Sequence, residues 1–188
     1  MEAENEAWSR ELESHRPLLV LLARQNLNPR LWKDVDPSGV VQDSLAEAAL
    51  HRHQFLGSGP AALEGWLRRI LLNNLFDAIR RVHREKRDVD REVALGGAID
   101  ESTRRLESQL AAGGPSPSQS AVKREELLGL ARALERLEPA QREAVELHHL
   151  QGRSLAESAS LLGRSESAVA ALLHRGLQRL KQEFAKKG

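Results

Sequence analysis

Apolar residues recur every three or four positions through most of the first 90 residues, and again from about residue 122 onward, the spacing of amphipathic helices. In the first stretch the pattern predicts a helix over Glu6–Leu27, a break at Asn28–Arg30, and a second helix opened by Asp36, which can cap, and Pro37, which suits a first turn. That second helix continues through Val40–His53 and ends before Gly57, Gly59 and Pro60, which cannot sustain it. A third carries WLRRILLNNLFDAIRRVHREKR, Trp66–Arg87. In the second stretch, Ser116–Gln119 has the form of a capping box and starts a helix to about Leu137. Pro139 opens another, and Ser154–Glu157 is a second capping box. The run Leu161–Ser165 breaks the chain before a final helix from about Ser165 to Phe184. Residues 91–121 contain two Gly-Gly pairs, two prolines and several serines, with no apolar run long enough to bury a face. The expectation is an all-α protein: two small helical domains, 1–90 and 122–188, joined by a flexible linker at 91–121.

On a helical wheel with about 100° per residue and Leu67 at zero, Leu71, Leu75, Ile79 and Val82 fall between roughly 40° and 120°, a buried stripe. Trp66, Arg69, Asn73, Arg80, Arg84 and Arg87 fall between roughly 200° and 260°, on the opposite side. A solvated charged face usually mixes signs. This one has almost no compensating acid, and it carries an aromatic and an amide, groups that stack on and hydrogen-bond to unpaired bases. Trp66 also fits the edge of a wider apolar stripe. The Gly/Ser/Pro loop just before it, Gln54–Gly65, is either a wall for a flipped base or a plain connector.

Charge sharpens this picture, because 28 basic against 27 acidic side chains leave a formal net charge of only +1, and any attraction to phosphate must be local. Residues 1–90 carry 13 basic and 14 acidic residues, and residues 122–188 carry 12 and 9, so the second domain is mildly basic. Aromatics are 3% and tyrosine is absent, which leaves Leu, Ala, Val and Ile to build helical cores. The absence of cysteine excludes disulfides, Cys-based zinc sites and thiol catalysis. The acidic N-terminus lacks the regions of a signal peptide, and no stretch approaches the roughly 18 apolar residues of a membrane span, so a cytoplasmic protein with no membrane segment is expected.

The last two helices follow helix-turn-helix logic: a short capped helix, a turn containing Gly163, and a longer helix. Leu155, Ala159, Leu162, Val169, Leu173, Leu177 and Leu180 form the expected core. Ser167, Ala171, His174, Arg175, Gln178 and Lys181 occupy the exposed arc, small, polar or basic side chains that let a helix approach a DNA major groove. Arg153 and Arg164, in the turns, suit phosphate contacts.

Together these segments resemble the extracytoplasmic-function sigma factors of bacterial RNA polymerase, over most of the chain. DPSGVVQDSLAEAALHRHQF is similar to the family's polymerase-docking helix, with Val41, Gln42, Ala46 and Ala49 at matching positions. WLRRILLNNLFDAIRR resembles its promoter-melting helix through Trp66, Leu67, Ile70, Asn73, Asp77, Arg80 and Arg81. Residues 133–181 resemble the reader of the upstream promoter element. The resemblance implies a protein without catalysis, cofactor or metal, whose partners are RNA polymerase core enzyme and promoter DNA, with an anti-sigma factor common in the family. It implies docking through Val41, Gln42, Asp43, Ala46 and Glu47. Trp66, Asn73 and the loop Gln54–Gly65 would engage a base rotated out at the −10 element, with Arg69, Arg80, Arg81, Arg84 and Arg87 on the backbone. Arg164, Ser165, Glu166, Ser167, Ala171, His174, Arg175 and Gln178 would face the −35 duplex. Two departures stand out. Gly39 replaces an acid, leaving Asp43 and Glu47 to supply charge, and Ala170 and Ala171 stand where many relatives place an Arg and a polar residue. Either other residues of the last helix read different bases, or this domain mainly grips the backbone, which is the favoured reading.

A stand-alone helix-turn-helix regulator would account for residues 139–184 and leave the Trp66–Arg87 face without purpose. An adaptor that binds only protein would need no basic face. A helical metalloenzyme would need His ligands on one helix face, but His51 and His53, like His148 and His149, lack the i, i+4 spacing that puts them there.

Overall fold

A computed structural model of the chain describes residues 2–86 and 117–185. The chain divides into two compact units between Ala121 and Val122. The described residues contain eight α-helices and no strand: α1 Glu2–Ser14, α2 Arg16–Asn26, α3 Pro37–Leu50, α4 Gly59–Lys86, α5 Pro117–Glu135, α6 Pro139–Val145, α7 Leu155–Leu162 and α8 Glu166–Ala185. The linker 91–121 lies almost wholly outside the described residues, as do Arg87 and Ser116, the residue expected to open a capping box.

In the first unit, the single helix expected over Glu6–Leu27 is two helices that meet at His15. Pro17 is the physical reason, since it has no N–H for the hydrogen bond that would continue α1 and its ring crowds the preceding turn. The His15 ring is buried at the joint, with Nδ1 2.9 Å from the Glu11 carbonyl. Asp36 caps α3 as expected, its carboxylate accepting from Ser38 N at 3.0 Å and Gly39 N at 2.9 Å. Helix α3 ends at Leu50, earlier than its apolar pattern suggested, and a 3₁₀ turn over Arg52–Gln54 leads towards α4. The core joins Trp8 and Leu12 of α1, Leu19 and Ala23 of α2, Val41, Leu45 and Ala48 of α3, and Leu63, Leu67, Leu71, Leu75 and Ile79 of α4. Each fully buried leucine among them contributes about 1.5–3 kcal/mol relative to exposure. Arg24 is buried too, its guanidinium 4.1 Å from the centre of the Trp32 ring.

In the second unit Pro139 stands in the first turn of α6, which passes into a π-type turn over Glu146–Leu150. The Ser154–Glu157 capping box forms in full at the start of α7: Ser154 N donates to the Glu157 carboxylate at 2.8 Å, and Glu157 N donates to Ser154 Oγ at 3.2 Å. Gly163 ends α7 with φ of 62°, a left-handed conformation that favours glycine. Ser165 then caps α8, its Oγ accepting from Ala168 N at 3.2 Å. The expected core residues Ala159, Val169, Leu173 and Leu180 are buried, and Leu155 and Leu162 partly so. Leu177 is a correction: it is 37% exposed, and the packed positions of α8 include Leu172 and Gly176. Gly176 lets α8 approach α6 closely, since a Cβ there would fall 3.0 Å from Val145 Cγ2.

Candidate nucleic-acid interface

Helix α4 presents two faces. Leu67, Leu71, Leu75 and Ile79 are buried, while Arg69, Asn73, Arg80 and Arg84 are exposed on the opposite side, spread over about 22 Å of helix axis at 1.5 Å per residue. Arg81 is exposed as well. Arg80 has an acid near it after all: its guanidinium lies 3.6 Å from Asp77 Oδ1, with both side chains more than 60% exposed. Such a pair is worth little and opens readily to a phosphate.

Trp66 does not stand out as a free stacking platform on this face. It is half-buried, 6.3 Å from Trp8 and 5.5 Å from Phe55 between ring centroids, on the edge of the core. The reason is tertiary: α1 and the α3–α4 loop bring two other rings onto the wider apolar stripe, and three rings bury more surface together than one does alone. Within the loop, Phe55 turns inward while Leu56 is 94% exposed. A Cβ on Gly57 would fall 2.7 Å from Ala62 Cβ, so the chain there hugs the first turn of α4.

Two functional details escaped the wheel. Arg68, next to Arg69, is 9% exposed and paired with Glu64, also buried, one turn earlier. An acid four residues before an arginine was the available signal. Adjacent asparagines point opposite ways: Asn73 is exposed, whereas Asn74 Nδ2 donates to Ser44 Oγ at 3.1 Å and to Glu47 Oε2 at 2.9 Å, tying α4 to α3.

On α3, Gln42, Asp43 and Ala46 are exposed, with Leu50 78% exposed nearby on the same helix. Glu47 is half-buried and held by Asn74. Gln42 accepts from Arg16, whose guanidinium also grips Glu13 at 2.6 and 2.8 Å. These bonds hold the Glu13 carboxyl below the usual glutamate range. Val41 is a correction: it is 0% exposed, inside the core with Leu45 and Ala48, and cannot touch a partner surface.

In the second unit Arg164, Ser165, Glu166, Ser167, Ala171, His174, Arg175 and Gln178 are all exposed, along with Ala170. They lie on α8 and the turn before it, with α7 bracing the buried side. Among the described residues no group of three His, Asp or Glu could hold a metal ion, and no helix is long and apolar enough to cross a membrane.

Comparison with known proteins finds sequence relatives of both helical units. The sigma-70, region 4 family matches residues 127–180, which contain α6, α7 and most of α8. The ECF RNA polymerase sigma factor SigM of Mycobacterium tuberculosis is 30% identical over 176 residues, which cover 93% of this chain and 75% of SigM. SigE of Mycolicibacterium smegmatis is 33% identical over 129 residues; these cover 68% of this chain and 44% of SigE, so the match spans less than half of that relative. The sigma factor RpoE of Bartonella quintana, solved in complex with the anti-sigma factor NepR, is 21% identical across 96% of this chain and 98% of that one, with a TM-score of 0.37. With the SigM match running across both helical units, the chain belongs to the ECF sigma factors of RNA polymerase, the family whose members direct the polymerase to promoters.

Proposed function

We propose that this protein directs RNA polymerase core enzyme to selected promoters, with the first unit docking on the polymerase and opening the −10 element and the second holding the −35 duplex. The observation that carries the division of labour is the exposed row Arg69, Asn73, Arg80 and Arg84, set opposite a continuous buried stripe of α4. Opening DNA costs a few kcal/mol of unstacking per step, and the energy must come back from contacts to the separated strand. Arginines supply phosphate contacts whose strength depends on salt, and Asn73 supplies an amide for a base edge. Of the expected loop Gln54–Gly65, residues from Gly59 on belong to α4, and the segment Gln54–Ser58 just before that helix offers Leu56 and backbone groups to the rotated base. Trp66 serves from beneath, as part of the wall.

Docking falls to the exposed α3 residues Gln42, Asp43 and Ala46, with Glu47 oriented by Asn74. Helix α8 enters the upstream major groove with Ser167, Ala171 and His174 towards the bases, while Arg164, Arg175 and Gln178 meet the backbone. With alanine at 170 and 171 the grip is mainly electrostatic. The work needs no catalysis and no cofactor, and it takes place in the cytoplasm, where polymerase and promoters are. Family membership adds an anti-sigma factor as a candidate partner. A net charge of +1 fits a factor that needs the polymerase to bring it onto DNA.

In vitro transcription tests this reading with purified core enzyme, the protein and a pool of genomic fragments. New start sites sharing two spaced elements are expected, and replacing Arg69, Arg80, Arg81 and Arg84 together by alanine should abolish them while sparing polymerase binding. If no start site depends on the added protein, the reading fails.

A further inference from the structure

The α3–α4 loop has one inward anchor. Residues 52–54 and 56–58 are exposed, and Phe55 alone among 52–58 turns towards the core. Its ring is received by Trp66 at 5.5 Å and by Trp8, from α1, at 5.9 Å. Trp8 also lies 6.3 Å from Trp66, closing a triangle of rings, all within the range of favourable aromatic contact. The Arg52 guanidinium lies 5.3 Å from the Trp8 ring, so this one side chain meets the loop at its start and, through Phe55, at its middle. Gly57 completes the fit, because a Cβ there would lie 2.9 Å from Phe55 Cε2 and leave no room between the returning chain and the anchored ring. Leu56 is thereby held outward, 94% exposed, between two constrained neighbours.

We propose that Trp8 is a positioning residue for capture of the −10 strand: from a helix outside the motifs that carry the family resemblance, it fixes the conformation of the Arg52–Ser58 loop. This rests on the assignment of that loop to the separated strand. Trp8 is itself 9% exposed and touches no DNA; it acts through Phe55 and Arg52. A loop freed from it would sample many conformations, and the strand would have to select the competent one, which lowers apparent affinity by the fraction lost.

The test uses the full chain assembled with core polymerase and a single-stranded oligonucleotide carrying the −10 non-template sequence. Trp8→Leu keeps an apolar filling but removes the ring, Trp8→Phe restores a ring, and Leu12→Ala damages the same helix and core one turn along while leaving all three rings in place. Losing both Trp8 ring pairs should weaken strand capture roughly tenfold in Trp8→Leu, with polymerase affinity unchanged. Trp8→Phe should recover most of the loss, and Leu12→Ala should leave capture close to wild type. Equal weakening by Leu12→Ala, or no weakening by Trp8→Leu, overturns the proposal. Phe55→Ala separates the two levels. If it weakens capture while Trp8→Leu does not, Trp8 alone is misassigned; if it has no effect, the loop does not bind the strand and the proposal falls with that assignment.

Discussion

Replacing Asn74 by alanine removes two hydrogen bonds between α4 and α3, the helices proposed for melting and docking, while the same change at Asn73 removes an exposed amide. The bond to Ser44 joins neutral groups and is worth about 1 kcal/mol, and the bond to the Glu47 carboxylate about 1.5–3 kcal/mol when buried. Asn74 is only half-buried, so the lower ends apply and the expected loss is about 2 kcal/mol. Ser44 Oγ keeps its own bond to the Val40 carbonyl at 2.7 Å, so no buried hydroxyl is stranded. For a unit of this size, 2 kcal/mol lowers the melting temperature by roughly 10 °C. Asn73→Ala should move stability by less than about 0.5 kcal/mol. Denaturant unfolding followed by tryptophan fluorescence suits the measurement, because all three tryptophans, Trp8, Trp32 and Trp66, lie in the first unit and report it selectively. In the holoenzyme the order should reverse: Asn73→Ala should reduce permanganate reactivity of the −10 thymines despite its normal stability. Equal midpoints for the two variants would refute the assignment of Asn74 as the inter-helix tie, and unchanged reactivity in Asn73→Ala would remove Asn73 from strand opening.

Other expectations follow from single contacts. Arg80→Ala should lower the salt slope of promoter binding by close to one unit, since the Asp77 pair opens at little cost; an unchanged slope would exclude Arg80 from phosphate contact. Gly176→Ala should bring less than the usual helix-propensity gain of about 1 kcal/mol while Val145 is present, and close to the full gain in a Val145→Ala background. Amide exchange in α8 measures both, and identical effects in the two backgrounds would show that Cβ crowding plays no part. Hydrogen bonds from Ser154 hold the Glu157 carboxyl below the ordinary glutamate range, so its contribution to stability is complete above that range and disappears as pH falls through the lowered folded value. Glu157→Gln should therefore flatten the acid limb of α7 stability measured by amide exchange, and an unaltered acid limb would argue against the carboxylate's role.

Local chemistry was the most legible part of this chain. Asp36, the Ser154–Glu157 box and Gly163 mark their helix ends because capping involves neighbours three or four residues apart, and the sequence displays those directly. Pro17 was equally visible, but the apolar period runs straight through it and concealed the joint at His15. Trp66 could be placed only as an edge residue, because Trp8 and Phe55, which draw it inward, reach it through tertiary folding. Val41 was misassigned for a different reason: its docking role came from its position in the family motif, whereas its spacing with Leu45 and Ala48 already put it on the core stripe. On α8 the exposed arc was readable throughout, apart from Leu177 at its margin.

The Glu64–Arg68 pair, both residues on α4 and both buried, lies beside the leucine stripe that fixes the rotational setting of that helix. Turning α4 by one residue, about 100°, would carry these ionised groups away from their present setting and bring different side chains against the leucine layer. A turn moves both partners together and leaves the pair itself intact, so what opposes it is the loss of buried leucine surface, about 1.5–3 kcal/mol for each such side chain exposed. The azimuth of Arg69, Asn73, Arg80 and Arg84 is thus fixed by the core, and under the proposed function a promoter strand would meet a rail already aimed before it arrives.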